Sequence, residues 1–394
     1  MTATDLSPIR AELAKLGRPH TTLDVAEVLR RNGQLVTDAG LMSTVAALRR
    51  ESIGAGPLDA LLRLPGVTDV CVNGPDQVFV DRGQGLELTD VRFTDEAELR
   101  SLAQRLAAGA GRRLDTAMPY VDSRLSDGTR VHAILATLAW PGTCLSLRVP
   151  ARSRFTLGDW VAAGSLTPTA ARVLEQMVHS RIAFLVTGGT GSGKTTLLAT
   201  LLGLVPPMDR LVIVEDSREL DPDHPHVVRL EGRPANAENE GAIALTVLVR
   251  QALRMRPDRL VVGEVRGAEL CDLLTAMNTG HEGGCGTVHA NSAADLPARL
   301  EALAALGGMG RTAVHAQMAA ALHAVVHIRH GKDRVRRVGE IHVLVRDHRT
   351  GVVRTEPALR FGRDVSSPDP GADPVPERGP GCERLEALLA GEEW

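Results

Sequence analysis

The apolar positions up to residue 150 follow two patterns. Up to residue 51 they recur at the three- and four-residue spacing of amphipathic helices, as at Val25, Val28 and Leu29 and again over 41–48. From residue 58 to 150 they form short runs bounded by turn residues such as Asn73 and Gly74, which is typical of strands. We therefore predict a helical segment over 1–56 and an α+β domain over 57–150. The predicted elements of that domain are strands at 68–72, 77–80, 130–138 and 144–149 and a helix at 96–108.

Strand-length apolar runs alternate with helical patterns in the rest of the chain. This alternation is typical of a parallel sheet with helices on both faces, so we predict an α/β domain over 165–361 after a linker at 151–164. Residues 362–381 hold five prolines and predict a flexible tail over 362–394, with a short amphipathic segment at 383–389. The predicted elements of the α/β domain are helices at 165–179, 194–204, 242–255 and 268–278 and strands at 182–187, 211–214, 259–262 and 287–289.

Composition narrows the classes of function. With 394 residues the chain is long enough for two or three domains that each bury a core. The formal net charge is -3 and aromatic residues make up 2%, so neither charge nor stacking surface favours nucleic acid as a direct partner. The five cysteines are scattered without a C-x-x-C pair, which predicts reduced thiols rather than a metal site or a redox dithiol.

Charged residues argue against an export signal. Asp5, Arg10, Glu12 and Lys15 would interrupt the apolar core of any signal peptide. The longest uncharged stretches, 131–147 and 312–328, are shorter than the ~20 apolar residues of a membrane-spanning helix. We therefore expect a cytoplasmic protein without a transmembrane segment, which would reach a membrane only through a partner.

Residues 188–196 read GGTGSGKTT and directly follow the apolar run at 182–186. Gly188, Gly193, Lys194 and Thr195 match the G-x-x-x-x-G-K-[ST] pattern of a phosphate-binding loop. Glycines let successive backbone N–H groups point inward, and a helix that begins at Lys194 adds the positive end of its dipole. We expect the lysine to contact the β- and γ-phosphates and Thr195 to ligate Mg²⁺. The full set of predicted nucleotide-binding residues is Gly188, Gly189, Thr190, Gly191, Ser192, Gly193, Lys194, Thr195 and Thr196.

Two other interpretations explain the residues of this loop less well. If the segment were only a tight turn without a ligand, the position of one of the chain's three lysines directly after the glycines would be a coincidence. A dinucleotide-binding fingerprint requires a third glycine where Lys194 stands after Gly189 and Gly191.

Two later strands end in carboxylates. The run LVIVE ends at Glu215 and the run LVVGE ends at Glu264, and such strand ends form the edge where an open parallel sheet binds its ligand. Hydrolysis needs one acid to hold Mg²⁺, usually through water, and another to polarise the attacking water. Because either run fits either task, the sequence leaves the assignment open. The alternative for each acid is a helix cap without a catalytic role.

The segment 280–291 reads GHEGGCGTVHAN and places His289 at the end of a short predicted strand. A histidine in that position is a candidate to hydrogen-bond or sense the γ-phosphate. Taken alone, His289 fits a buried core histidine better. The segment lacks the His/Cys spacing of a metal site, and no neighbouring base marks Cys285 as a nucleophile.

Four blocks in this order resemble the type II/type IV secretion ATPases, most closely the Tad (Flp) pilus branch and its conjugal-transfer-associated ATPases. They are GGTGSGKTT, VEDSREL at 214–220, RMRPDRLVVGEVRG at 254–267 and TGHEGGCGTVHAN at 279–291, and the resemblance covers about 57–345. It implies a RecA-like P-loop domain, a smaller PAS-like α+β domain, ATP and Mg²⁺ as ligands, and a homohexamer. By position, it also implies that Glu215 orients water and that Glu264 holds Mg²⁺. The same comparison places His289 near the γ-phosphate.

The resemblance extends to two segments ahead of the P-loop. DSRLSDGTRVHAIL at 122–135 and LSLRVP at 145–150 look like the segments with which the family's N-terminal domain closes over the nucleotide. Arg130 and Arg148 are therefore candidate γ-phosphate contacts, and the alternative is a pair of surface arginines on strands. Arg254 and Arg256 are candidates for a similar role at a subunit boundary.

The function that this resemblance implies is an ATP hydrolase that powers assembly of a pilus or of a secretion or conjugal-transfer apparatus. Its expected partner is an inner-membrane platform protein, and no direct contact with nucleic acid is expected. Two alternatives remain open at this point. A RecA-like nucleic-acid motor shares the ATP site but needs a basic channel, and a nucleotide-gated scaffold would bind ATP without turnover.

Overall fold

The computed structural model describes residues 12, 22–32, 54–83, 85–125, 127–150, 154–233, 235, 240–280, 282–331, 333, 335–362 and 375–391. The chain divides into two compact units, Met1–Ala151 and Arg152–Trp394. In the predicted helical segment the structure describes helix α1 (Thr22–Arg31), which buries Val25, Val28 and Leu29. The helical pattern predicted over 41–48 lies outside the described residues.

The first unit is built on a six-stranded antiparallel sheet in the order β3-β2-β1-β6-β5-β4. Buried positions alternate along β1 and β6, and Leu99, Leu102 and Leu106 of α3 belong to the same core. Asp95 begins α3 by accepting a hydrogen bond from the Glu98 amide, as an N-cap does. The elements are a 3₁₀ turn (Gly56–Leu58), α2 (Asp59–Leu62), β1 (Asp69–Asn73), β2 (Val78–Asp81), β3 (Leu86–Leu88), α3 (Glu96–Gly109), β4 (Tyr120–Arg124), β5 (Arg130–Ile134) and β6 (Cys144–Arg148).

Two strands of this sheet were not predicted, because they lie at its edges. β3 exposes both of its leucines, and β4 alternates Val121 and Ser123 with exposed or half-exposed side chains. Edge strands bury little apolar surface, so their sequences carry a weak strand pattern. β5 also ends at Ile134 rather than at the predicted residue 138.

The second unit contains a nine-stranded sheet in the order β15-β14-β13-β12-β7-β11-β10-β8-β9. The strands from β9 to β12 in this order are parallel, and β13 to β15 extend the sheet in antiparallel fashion. The helices and first strands are α4 (Leu157–Ala162), α5 (Pro168–His179), β7 (Phe184–Gly188), α6 (Lys194–Leu202), β8 (Leu211–Glu215), β9 (Val227–Glu231), α7 (Leu245–Ala252), a 3₁₀ turn (Leu253–Met255), β10 (Arg259–Val262), α8 (Glu269–Met277) and β11 (Cys285–His289). They are followed by α9 (Leu296–Leu306), α10 (Arg311–Ala321), β12 (Ala324–His330), β13 (Arg336–Arg346), β14 (Val353–Arg360), β15 (Glu377–Arg378) and α11 (Cys382–Ala390).

Helices cover both faces of this sheet, as the alternation of patterns predicts. One core contains Leu174 of α5, Leu197 of α6 and Leu385 of α11. The other contains Leu273 of α8 and Leu300 of α9. Every residue of β7, β8 and β10 is buried, because these central strands are covered on both sides.

The flexible tail predicted over 362–394 is wrong for residues 375–391. β15 pairs with β14, and α11 buries Cys382 and Leu385 in the core of the second unit. The prolines of this region precede or flank these elements and do not prevent them from packing. Part of the predicted linker at 151–164 is also folded, because α4 buries Trp160, whose Nε1 donates to Thr200 Oγ1 at 3.0 Å.

No helix in the described part of the chain combines the length and the apolar character that a membrane crossing requires.

Candidate nucleotide site

The predicted phosphate loop connects β7 to α6. β7 ends at Gly188, and α6 begins at Lys194 after Gly193, whose φ of 95° is left-handed. A Cβ atom at Gly188, where φ is 155°, would lie 2.5 Å from the Ile328 carbonyl oxygen, so no larger residue fits there. A Cβ atom at Gly189 would meet nothing within 4 Å. The loop therefore packs against β12 at its start and faces open space at Gly189 and Gly191.

Lys194 is buried within this loop. Its Nζ donates hydrogen bonds to the carbonyl oxygens of Gly188 at 3.0 Å and Gly189 at 2.9 Å. Burial lowers the pKa of Lys194, whereas the charge of the nearby Glu264 raises it. The Ser192 hydroxyl is also buried and has no hydrogen-bond partner among the described residues. An ammonium group and an unpaired hydroxyl in a glycine-rich loop at a helix N-terminus fit a nucleotide phosphate.

Thr195 and Thr196 lie half-buried in the first turn of α6. Thr195 follows Lys194 at the start of α6, and Glu264 follows the end of β10 in the same parallel sheet. Hydroxyl and carboxylate oxygens are the ligands that Mg²⁺ prefers, usually together with water and substrate phosphates. The residues at this position fit the ion.

Glu215 ends β8 and is only 3% exposed. Its Oε1 accepts hydrogen bonds from the amides of Glu219 and Leu220, each at 3.0 Å, and its Oε2 is buried without a partner among the described residues. Burial raises the pKa of Glu215 to about 7, although the two amides oppose this shift. A Cβ atom at Gly263 would lie 2.5 Å from Glu215 Cγ, so the glycine makes room for the carboxylate. The result is a carboxyl group held in place with one oxygen unused.

Glu264 follows the neighbouring strand and has a different environment. Its side chain is 27% exposed, and Oε2 accepts from Arg266 Nη2 at 2.6 Å. Arg266 Nη1 also approaches Asp216 Oδ2 at 3.4 Å, so this arginine bridges the ends of β10 and β8. The structure therefore gives Glu215 and Glu264 unlike surroundings at the ends of neighbouring strands, which the sequence alone did not.

His289 is the last residue of β11, the strand that pairs with β7. The register places His289 beside Gly188, the first glycine of the loop, and the side chain is half-buried. Thr287 ties β11 to the neighbouring β10 end by donating from Oγ1 to the Gly263 carbonyl at 2.7 Å. His289 thus lies beside the start of the phosphate loop, and its contact with the terminal phosphate stays a prediction.

The predicted arginines lie in two places. Arg130 of β5 and Arg148 of β6 are cross-strand partners in the first unit, and Arg130 also approaches Asp122 at 3.6 Å. Arg254 and Arg256 belong to an exposed turn that follows α7 in the second unit, and Arg256 has a left-handed φ of 52°. Arg130 and Arg148 are brought together, and Arg254 and Arg256 are neighbours on the turn.

Several site residues were missed by the sequence. Arg266 lies inside the block at 254–267, but it was not predicted as a site residue. A single exposed arginine has no characteristic spacing that would mark it as a site residue. Trp160 and Arg336 approach the loop from α4 and β13, with ring and Cδ atoms 3.5 and 3.6 Å from a Cβ placed at Gly193. They are distant from the loop in sequence, so only the fold shows their contact.

The second unit is thus an α/β unit with a P-loop, two strand-end acids and a strand-end histidine at the carboxyl edge of its parallel strands. These features define the class of P-loop nucleotide hydrolases. The family model for type II/IV secretion system proteins matches residues 51–349. This chain belongs to that family.

Relatives support the assignment over different lengths. A protein of Mycobacterium tuberculosis, provisionally named a conjugal transfer protein, is 52% identical over 316 residues, which is 79% of this chain and 90% of the relative. The type IV secretion system protein PtlH of Bordetella pertussis is 34% identical over 250 residues, 58% of this chain and 74% of the relative. The crystal structure of the Legionella pneumophila ATPase DotB is 20% identical, with a TM-score of 0.52 over 77% of this chain and 82% of that chain, and shows the fold alone.

These findings confirm the predicted α/β P-loop fold and the superfamily of secretion ATPases. Together with the P-loop they confirm the prediction of an ATP hydrolase. The narrower Tad branch stays a prediction.

Proposed function

We propose that this chain hydrolyses ATP with Mg²⁺ and that the cycle powers a pilus, secretion or conjugal-transfer apparatus at a membrane. The observation that carries the proposal is that Lys194, Glu215 and Glu264 lie at or just after the carboxyl ends of parallel strands of one sheet, in a chain of this family. The names of the M. tuberculosis relative and of PtlH support conjugal transfer or type IV secretion as the process.

The phosphate loop binds the triphosphate through its N–H groups and through Lys194. For Lys194 to reach a phosphate oxygen, its Nζ must exchange the carbonyls of Gly188 and Gly189 for the ligand. A phosphate oxygen is the stronger acceptor because it carries charge. Mg²⁺, held by Thr195 and through water by Glu264, would neutralise charge that develops on the phosphates.

The two acids take different tasks because their environments differ. Glu215 is the better general base, since its pKa of about 7 suits proton transfer near neutral pH and one oxygen is unused. Glu264 is more exposed and accepts a hydrogen bond from Arg266, so we assign it to the metal. This assignment agrees with the one that the resemblance implies.

His289, Arg130 and Arg148 contact the γ-phosphate in this proposal. His289 is supported by its register beside Gly188. The arginines are supported by their cross-strand register, which places two guanidinium-bearing residues side by side on β5 and β6. A guanidinium group on the transferred phosphate accelerates hydrolysis by roughly 10³–10⁵-fold in other enzymes.

The working assembly in this proposal is a homohexamer that acts on an inner-membrane platform protein. The family assignment supports the ring, and the names of the relatives support a membrane apparatus. Chain mass and symmetry with and without ATP and Mg²⁺ would test it, and a particle that stays monomeric under both conditions would contradict it.

Phosphate release by purified protein tests the catalytic assignment. Glu215→Gln and Glu264→Gln should each abolish turnover while the protein still binds nucleotide, and Lys194→Ala should weaken binding itself. Glu175→Gln is the matched control, because this glutamate is exposed on α5. Turnover at the wild-type rate in both strand-end variants would refute the assignment. ATP binding without any phosphate release by the wild type would indicate a nucleotide-gated scaffold, and stimulation by DNA would indicate a nucleic-acid motor.

A further inference from the structure

The turn between β13 and β14 lies at the edge of the second sheet that is opposite the phosphate loop. β12 runs parallel to β7, with Ala324 beside Phe184, and antiparallel β13 places Val343 beside Ala324. Arg346, three residues further along β13, therefore lies beyond the first residues of β7. Arg346 and Gly188 are thus offset by seven residues along the strands, which at about 3.3 Å per residue corresponds to roughly 23 Å.

An open cavity of about 580 Å³ lies at this edge, and we call it the turn cavity. Its lining includes the cationic or titratable side chains of Arg346, His348, Arg354 and Arg384, together with Asp347. The arginines come from three elements, β13, β14 and α11, so the fold collects positive charge here that is dispersed in the sequence. The overall charge of the chain is -3, which makes this concentration of cations a local feature.

The neighbouring acids pair with Arg354 and with the backbone of the turn, and no hydrogen bond joins them to Arg346 or Arg384 in the described part of the chain. Asp347 Oδ1 accepts from the amides of Arg349 at 2.9 Å and Thr350 at 2.8 Å and so fixes the turn. Glu356 takes two hydrogen bonds from Arg354, at 3.0 and 2.8 Å.

Arg384 contributes a partly buried guanidinium group to the cavity. Its Nε is buried without a hydrogen-bond partner among the described residues, and burial lowers the pKa of its guanidinium group, with the charge of Glu356 opposing the shift. Arg346 makes one long contact, from Nε to the Gly351 carbonyl at 3.4 Å. Removing a guanidinium group from water costs free energy, and a negative charge in the cavity would offset part of this cost.

We propose that the turn cavity binds the carboxylates of an acidic segment of a partner protein. Planar guanidinium groups pair with carboxylates through two parallel hydrogen bonds, and this cavity offers more than one such group. The half-exposed Ala319 and Val345 add apolar surface for the stems of the glutamate or aspartate side chains. The cavity is open, so it can admit a peptide rather than only a small ion. It lies away from the nucleotide edge, so a partner can stay bound while ATP is bound and hydrolysed.

Fluorescence anisotropy of a labelled hexaglutamate peptide with the full chain tests this proposal. Arg346→Ala and Arg384→Gln should each weaken binding about tenfold, because each removes a charge-assisted hydrogen bond. Arg349→Ala is the matched control, since it removes the same charge from the same turn without lining the cavity. Equal affinity in wild type and both variants would overturn the proposal, as would a loss in the control as large as in the variants.

Two further measurements separate the remaining outcomes. Burial lowers the pKa of His323, the charge of Arg384 lowers it further, and the charge of Glu282 opposes the shift. A carboxylate bound to Arg384 should therefore raise the His323 pKa in an NMR titration.

Binding of inorganic phosphate to the cavity, without binding of hexaglutamate, would show a small-anion site and refute peptide docking. Unchanged ATPase rates and unfolding in the two variants would show that they are folded. Because peptide binding needs no ATP, its failure is distinguishable from failure of the proposed catalytic function.

Discussion

Replacing Glu215 by glutamine should remove turnover and, at the same time, remove a pH-dependent cost to stability. Burial raises the pKa of this carboxyl from an ordinary 4.5 to about 7 in the folded chain. The folded state therefore holds the proton more tightly than the unfolded state. The stabilisation that this proton provides is complete below pH 4.5 and is lost as the pH rises through 7.

The size of the effect follows from the two pKa values. A shift from 4.5 to about 7, at 1.36 kcal/mol per pH unit, makes the ionised side chain cost about 3 kcal/mol at pH 8. At pH 5 the cost is below about 1 kcal/mol, so the change between pH 5 and pH 8 is roughly 2.5 kcal/mol. Glutamine keeps an acceptor for the amides of Glu219 and Leu220 but leaves a buried N–H₂ group where Oε2 has no partner. That penalty of about 1–3 kcal/mol does not depend on pH, so the pH dependence isolates the charge.

Urea unfolding at pH 5 and pH 8, followed by circular dichroism, measures this difference. The free energy of unfolding of Glu215→Gln relative to wild type should rise by roughly 2.5 kcal/mol from pH 5 to pH 8. Glu175→Gln, which alters an exposed glutamate on α5, should show no such trend. ATP turnover of the wild type should fall about tenfold from pH 7 to pH 5.5 as the base becomes protonated. A stability difference that is the same at both pH values would refute a raised pKa for Glu215 and with it the argument for this residue as the base.

Three further changes test other parts of the structure. Gly263→Ala should lower kcat at least tenfold with little effect on nucleotide affinity, because a Cβ atom there would lie 2.5 Å from Glu215 Cγ; steady-state kinetics checks this, and an unchanged kcat would contradict it. Asp209→Asn should lower the free energy of unfolding in urea by about 3 kcal/mol, because it removes the charge that lies 3.6 Å from Nε of the buried Arg259 side chain. A loss below about 1 kcal/mol would show that other groups compensate the charge of Arg259. Leu385→Ala should cost about 2–5 kcal/mol if α11 belongs to the core, whereas a negligible cost would restore the prediction of a free tail.

The sequence predicts the central strands and the phosphate loop well, because their residues interact with near neighbours in the chain. β7, β8 and β10 are continuous apolar runs, and the loop is a contiguous motif. The region after residue 290 is predicted poorly. There β12 follows α10 within one uncharged stretch, and no turn residue between Leu322 and Ala324 marks where the helical pattern gives way to a strand.

The roles of the two acids show a different limit of the sequence. Glu215 and Glu264 both follow apolar strands, so the pattern treats them alike. Contacts in the tertiary structure distinguish the two acids. Gly263 leaves room for the buried Glu215 side chain, whereas Glu264 is more exposed and is bound by Arg266. Burial and pairing of this kind depend on residues from neighbouring strands, which no periodicity along one strand reveals.

The nucleotide site combines features that each cost folding free energy. Gly188 and Gly193 adopt positive φ, the Ser192 hydroxyl is buried without a partner among the described residues, and Glu215 is buried as an acid. The fold maintains these unfavourable features because β7 and β8 are buried on both faces. Neither strand end can move to a more relaxed conformation without exposing core residues to water. A phosphate ligand would satisfy the loop, and a water molecule would satisfy Glu215 Oε2. We therefore expect ATP and Mg²⁺ to increase the free energy of unfolding of the wild type by more than that of Glu215→Gln. In the bound complex, the metal charge and a water molecule would interact with the Glu215 carboxylate, which lacks such partners without ligand. Equal stabilisation of both proteins in urea unfolding would show that Glu215 takes no part in the bound complex.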